Sequence, residues 1–233
     1  MRAMREKYGL SGNALKIIAL IAMTVDHIGV ILLGGNVVWR IIGRISFPIF
    51  AFMIAEGCRY TKNKRQYLGT IFLLGAVCQA VYYFGENSLY QGILITFSLS
   101  IIIIYAVEYV KKRRSCLSWV LLFISVGTAL FLCDGVPEML PKTDYGIDYG
   151  FCGVLLPALI FLPDKFYGKI IFAAAGTALV SISYGGIQWW SLAAIIPLAF
   201  YSGKRGYFNM KYLFYVYYPL HLAVLQAISV FIK

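Results

Sequence analysis

The chain has 233 residues, of which 61% are hydrophobic and only 13% charged. A soluble domain of this length could not cover so much apolar material with polar surface, so the composition excludes the soluble classes and points to a polytopic membrane protein. The formal net charge of +11 is not read as a nucleic-acid signature, because the Lys and Arg residues gather in short loops between apolar runs. The five cysteines (Cys58, Cys78, Cys116, Cys133 and Cys152) follow no CxxC spacing and lie mostly in or beside apolar runs, which indicates packing rather than a metal site or a disulfide framework.

The first apolar run, "LSGNALKIIALIAMTVDHIGV", is too long for a signal-peptide core, lacks a small-residue cleavage site and reads as a retained helix. A crossing takes about 20 mostly apolar residues. On that rule spans are predicted at 14–33, 37–58, 67–84, 91–110, 116–133, 150–163, 169–183, 187–201 and 212–231. The expected fold is an all-α bundle of nine transmembrane helices in a single domain over residues 1–233. Basic residues then fall on one side: Arg2, Arg5 and Lys7; Arg59, Lys62, Lys64 and Arg65; Lys111, Lys112, Arg113 and Arg114; Lys165 and Lys169; Lys204, Arg205 and Lys211. The connections between them are neutral or acidic, which predicts a cytoplasmic amino terminus and a carboxyl terminus outside. Pro48 and Pro219 lie inside helical runs and are expected to kink them, loosening backbone bonds where a cavity can form.

Ionisable groups inside a bilayer are costly and mark functional paths or structural pairs. Here they concentrate in the first two spans and the last. Lys16 and His27, eleven residues apart, return to within about 20° of one helix face and are separated by about 16 Å along the axis. Lys16 reads either as a snorkelling boundary residue or as a cation facing the cavity that His27 faces at greater depth. Asp26 points about 100° away from His27, so a partner on the next helix is expected for it rather than an orienting role in the manner of a serine-protease aspartate. That helix, "VVWRIIGRISFPIFAFMIAEG", carries Arg40 and Arg44 on one face at the depth of Asp26, and Glu56 at the depth of Lys16, where it could neutralise that cation. Asp26 is expected to pair with one of the arginines, either to fix the geometry around His27 or simply to tie two helices together. His221 falls near mid-membrane in "KYLFYVYYPLHLAVLQAISV", with Tyr217 and Tyr218 one turn before it, so both histidines of the chain lie within spans.

Acyl transfer from acetyl-coenzyme A (acetyl-CoA) to an amine or hydroxyl needs a base, donors for the tetrahedral oxyanion and cations for the cofactor phosphates. His27 or His221 could be the base, Arg40 or Arg44 could supply donors, and Lys16 with the inner basic loops could hold phosphates. No phosphate-cradling glycine loop, GxSxG or HExxH is present, so such a site would be built from helix side chains. Buried Asp, His and Arg also build proton-coupled permeases, the rival class, although no inverted repeat is visible.

The segments "LSGNALKIIALIAMTVDHIGV", "RIIGRISFPIFAFMIAEG", "RYTKNKRQYL" and "KYLFYVYYPLHLAVL" resemble the TraX family, whose founding function is N-terminal acetylation of conjugative pilin subunits. More distantly, Lys16, ten intervening residues and His27 resemble the basic-x10-His pattern of membrane O-acyltransferases that modify surface polysaccharides and peptidoglycan. This resemblance implies a multi-pass protein of the bacterial cytoplasmic membrane that takes acetyl groups from cytosolic acetyl-CoA. The acceptor would be a peptide, an amino sugar or an envelope glycan, and nucleic acid would not be a partner. It implies His27, Asp26 and His221 as catalytic positions and Lys16, Arg40, Arg44 and Glu56 as cofactor-binding positions, with no metal.

Overall fold

The computed structural model describes residues 8–207 and 211–232. In chain order its helices are α1 (Gly12–Ile31), α2 (Val37–Gly43), α3 (Ser46–Tyr60), α4 (Lys64–Glu86), α5 (Ile93–Arg113) and α6 (Cys116–Leu130). A π-helical turn (Phe131–Gly135) leads to α7 (Val136–Met139), followed by α8 (Gly150–Phe161), α9 (Phe166–Tyr184), a 3-10 helix (Gly186–Ala194), α10 (Ile195–Ala199) and α11 (Lys211–Ile232). Among the described residues the only strand-like pairings are two isolated bridges, Leu10 with Tyr201 and Gln91 with Ile147. The predicted all-helical class is therefore observed.

Among the described residues, six helical runs are long and apolar enough to cross a membrane: Gly12–Ile31, Val37–Tyr60, Lys64–Gly85, Ile93–Arg113, Cys116–Met139 and Phe166–Tyr184. The chain is a multi-pass helical membrane protein. Two of the other three predicted spans coincide with shorter apolar helices, at Gly150–Phe161 and Gly186–Ala199, and the third falls within the 22-residue α11, apolar over Val216–Phe231. The twelve residues of α8 reach only about 18 Å, well under a hydrocarbon core of about 30 Å. Arg2, Arg5 and Lys7 lie outside the described residues.

Local chemistry sets the boundaries. Ser11, Asn36, Asn63 and Ser115 each cap a helix by accepting from a backbone N–H two or three residues on. The second predicted span is interrupted after Gly43, ahead of the expected proline kink. Pro48 sits in the first turn of α3, where its missing N–H would have had no helical partner, so it starts a helix rather than bending one. Pro219 does lie inside its helix, α11. The π turn falls just before Pro137 and accommodates a ring that would otherwise crowd the carbonyl four residues back.

The chain divides into two compact units, 1–53 with 177–233, and 54–176. In the first, α1 and α2 form a tight antiparallel hairpin around the turn at Gly34 and Gly35, both at positive φ. The strap Phe200–Arg205 runs over the start of α1. Its Phe200, Lys204 and Arg205 carbonyls accept from Leu10, Gly12 and Asn13 at 2.8, 2.8 and 2.9 Å, so N–H groups at the amino end of α1 are satisfied by backbone.

In the second unit a buried ion pair joins α3 to α9. Lys169 Nζ donates to Glu56 Oε1 at 2.5 Å, with side chains only 9% and 6% exposed. Lys169, counted from sequence with the basic residues at the mouth of the span predicted at 169–183, is thus not a free boundary charge but is buried in the first turn of α9. Nearby Arg59 closes the carboxyl end of α8 by donating to the Phe161 and Pro163 carbonyls at 2.8 and 3.0 Å. It also bonds Asp164 at 2.9 Å and holds that loop carboxyl below its usual range. Asp144 clips another loop, accepting from Ser88 Oγ and Leu89 N–H, which likewise holds its carboxyl low.

Removing one member of a buried ion pair strands the other, at a cost of about 3–5 kcal/mol. Glu56→Ala or Lys169→Ala should therefore lower the thermal unfolding temperature of detergent-solubilised protein markedly, whereas Glu56→Met combined with Lys169→Met should recover most of the loss.

Candidate functional site

The site lies wholly within the first unit, where α1, α2, α11 and the 3-10 helix contribute polar side chains. His27, about one turn before the end of α1, meets His221, which is 7% exposed on α11. His27 Nδ1 and His221 Nε2 are 2.8 Å apart, and the rings lie nearly coplanar with an interplanar angle of 16°. His221 Nδ1 lies 2.9 Å from the backbone carbonyl of Tyr217.

A carbonyl can only accept, so this last contact orients the whole chain of bonds. His221 Nδ1–H donates to Tyr217 O, and in the neutral ring Nε2 is then an acceptor. His27 Nδ1–H must donate to it. What remains on His27 is Nε2 with its lone pair, the form of imidazole that accepts a proton. A second fixed chain steadies the first. Thr24 Oγ1 donates its proton to Leu20 O at 2.8 Å, so across the 2.7 Å contact between hydroxyls it is Tyr217 that donates to Thr24. The Tyr217 ring stacks on His221 at 5.2 Å between centroids and 10° between planes, and Tyr218 meets the same imidazole edge-on at 5.6 Å.

Asp26, one residue before His27, turns to α2. Its Oδ2 accepts from Arg44 Nη2 at 2.5 Å, with side chains 15% and 12% exposed. The same guanidinium donates through Nη1 to Gln188 Oε1 at 3.3 Å and through Nε to the Arg40 carbonyl at 3.2 Å. Arg44 also lies close enough to act electrostatically on His27. Three buried atoms around this cluster have no hydrogen-bond partner among the described residues: Asp26 Oδ1, Arg40 Nε and Gln188 Nε2.

Lys16 lies about 16 Å along α1 from His27. The neighbouring charge that acts on it is Arg205, carried by the strap with Lys204. Glu56 departs from expectation. It belongs to the second unit and its carboxylate is bonded to Lys169, so the expected neutralisation of Lys16 is replaced by a pair whose charge is already matched.

Comparison with known proteins identifies the family of the chain. A family model described as TraX protein matches residues 11–229, a range that contains every residue named in the site. This chain belongs to the TraX family. A curated relative from Dichelobacter nodosus, "Probable fimbrial assembly protein FimC, serogroup H1", is 27% identical over 99% of this chain and 100% of the relative. An uncharacterized protein of Rickettsia prowazekii (strain Madrid E) is 40% identical over 67 residues, covering 29% of this chain and 25% of that protein. No solved structure matches.

Several parts of this TraX-family site are silent in the sequence. Gln188 is neutral and lies in a predicted span without a charge. Thr24 is an ordinary small residue of an apolar helix, and Arg205 reads as one more loop cation. Gly43 gives the clearest retrospective signal, a glycine between the arginines "RIIGR". A Cβ added there would sit 2.2 Å from Asp26 Cβ, and one at Gly29 would sit 2.7 Å from Trp39 Cβ. The two helices approach closely only because these side chains are absent. Overpacking of this kind costs about 1–3 kcal/mol. Gly43→Ala should lower the unfolding temperature by several degrees in a thermal-shift assay, with Gly69→Ala, whose added Cβ would meet nothing within 4 Å, as the unchanged control.

Proposed function

We propose that this TraX-family chain is an integral-membrane acetyltransferase that moves an acetyl group from cytosolic acetyl-CoA to an amine or hydroxyl at the outer face of a bacterial cytoplasmic membrane. The acceptor is a protein amino terminus, an amino sugar or an envelope glycan. The observation that carries this reading is the oriented His27–His221 pair, which leaves His27 Nε2 able to accept a proton in the unit that also holds the paired Asp26 and Arg44. The Dichelobacter relative, named for fimbrial assembly, supports an acceptor in the cell envelope.

In the mechanism, His27 Nε2 removes the proton from the acceptor as its nitrogen or oxygen attacks the thioester carbonyl. His27 Nδ1–H remains donated to His221, so the imidazolium that forms is held in place, with Tyr217 O as the fixed end of the chain. The new bond from acceptor to carbonyl carbon forms, the carbon–sulfur bond breaks, and the proton on His27 passes to the departing thiolate. Positive charge from Arg44 and an N–H from Arg40 stabilise the oxyanion. Asp26 holds Arg44 in register, pairing with it rather than with His27. Lys16 and Arg205 gather cationic charge at the end of α1 predicted to be cytoplasmic, where the coenzyme A (CoA) phosphates would enter. Because the strap carbonyls already occupy N–H groups at the start of α1, these side chains rather than the helix terminus would hold phosphate.

The test is release of free thiol from acetyl-CoA by purified protein in nanodiscs. Turnover should fall about 100-fold or more in His27→Ala, while Lys16→Ala should chiefly raise KM for acetyl-CoA. Absence of both CoA binding and thiol release in the wild-type protein would contradict the reading and favour the permease.

A further inference from the structure

Gln188 is the least conspicuous member of the cluster and the most constrained. It sits in the first turn of the 3-10 helix, two residues after Gly186; the φ values of Gly185 and Gly186, +62° and +51°, make the turn out of α9 one that residues with a Cβ adopt only under strain. The turn is then locked from α9. Ser181 Oγ lies 3.1 Å from Gln188 O and 3.3 Å from Ser191 Oγ, and both serines are fully buried. Gln188 N–H donates to Gly185 O at 3.0 Å. The side chain is 4% exposed, its Oε1 accepts from Arg44, and its Nε2 has no partner among the described residues.

An amide whose oxygen is engaged cannot satisfy its N–H groups by flipping without breaking the Arg44 bond. A buried unpartnered donor costs about 1–3 kcal/mol, so its retention calls for an explanation. Arg44 supplies the geometry of that explanation. Its two terminal nitrogens hold Gln188 and Asp26 side by side, and Asp26 is the chain neighbour of His27. The unpartnered Nε2–H therefore belongs to the hydrogen-bonded cluster of Asp26 and Arg44, whose charge acts on His27. Donors prepositioned in a dry site at a developing oxyanion are what acyl transfer rewards most.

We propose that Gln188 is a catalytic residue whose side-chain N–H donates to the carbonyl oxygen of an acyl thioester. This rests on the acetyltransferase reading and assigns the donor that a charge-based reading of the sequence leaves out. As the acceptor–carbon bond forms, the carbonyl electron pair moves to oxygen and shortens the Gln188 hydrogen bond; as the carbon–sulfur bond breaks, it returns, and the thiolate leaves with the proton carried by His27. No group other than the thioester and the acceptor is consumed.

Two substitutions separate donation from scaffolding. Gln188→Glu keeps an acceptor for Arg44 and deletes the donor; Gln188→Met deletes both while preserving length and neutrality. Each is assayed for thiol release, for CoA affinity by calorimetry and for thermal stability, beside the wild type. The expected result is a loss of kcat of about 100-fold in both, with CoA affinity within twofold of wild type. Retained kcat in Gln188→Glu with loss in Gln188→Met would show that Gln188 only holds Arg44, and loss in Gln188→Glu alone would assign the effect to added charge. Either result, like near-normal kcat in both or a loss that tracks CoA affinity, overturns the proposal. A wild-type protein that binds no CoA and releases no thiol would instead overturn the acetyltransferase reading beneath it.

Discussion

One hydrogen bond, from His221 Nδ1–H to the carbonyl of Tyr217, gives the site its direction. Two facing histidines alone could share their proton either way. Anchored to a group that can only accept, they cannot, and His27 is left with its outer nitrogen unprotonated. The rest of the cluster follows from holding that dyad still: a tyrosine stacked on His221, a threonine that takes the tyrosine proton, and an arginine that fixes Asp26 beside His27. Each of these polar groups would be expensive in an apolar unit if it lacked a partner, which is why their bond directions can be worked out so fully.

The helical hairpin makes this possible at small cost in packing. Gly29 and Gly43 let α1 and α2 touch at backbone distance, and the guanidinium of Arg44 then reaches Asp26 without spanning a gap. Replacing charge by proximity is economical in a membrane. A single well-placed arginine serves Asp26, Gln188 and a carbonyl of its own helix. Asp26 Oδ1, Arg40 Nε and Gln188 Nε2 are buried without a hydrogen-bond partner among the described residues, and the two donors are proposed to meet the reacting group.

Much of this was legible in the sequence because charge inside an apolar run is a strong signal. The two intramembrane histidines, the aspartate beside one of them and the arginine pair one turn apart all stand out, and the structure brings His27 to His221 and Asp26 to Arg44. What was not legible depends on facing and on neutral groups. The partner of Glu56, Lys169, depends on packing in the other unit, which no spacing along one helix reveals. Gln188 and Thr24 carry no charge to mark them. Hydropathy also cannot say that α8 is a twelve-residue helix rather than a crossing, because a short apolar run reads alike in both. Nor does a proline in a pattern reveal whether it bends a helix or begins one, as Pro48 does.

The most direct test of the account is the protonation pattern of the two imidazoles, read by nitrogen-15 NMR of histidine-labelled protein in bilayers at a pH where both rings are neutral. The account predicts that both carry their proton on Nδ1, that His27 Nε2 reports as an unprotonated nitrogen, and that His221→Asn releases His27 from this tautomer. A wild-type protein in which His27 carries its proton on Nε2 would contradict the oriented dyad, and with it the base on which the proposed acyl transfer depends.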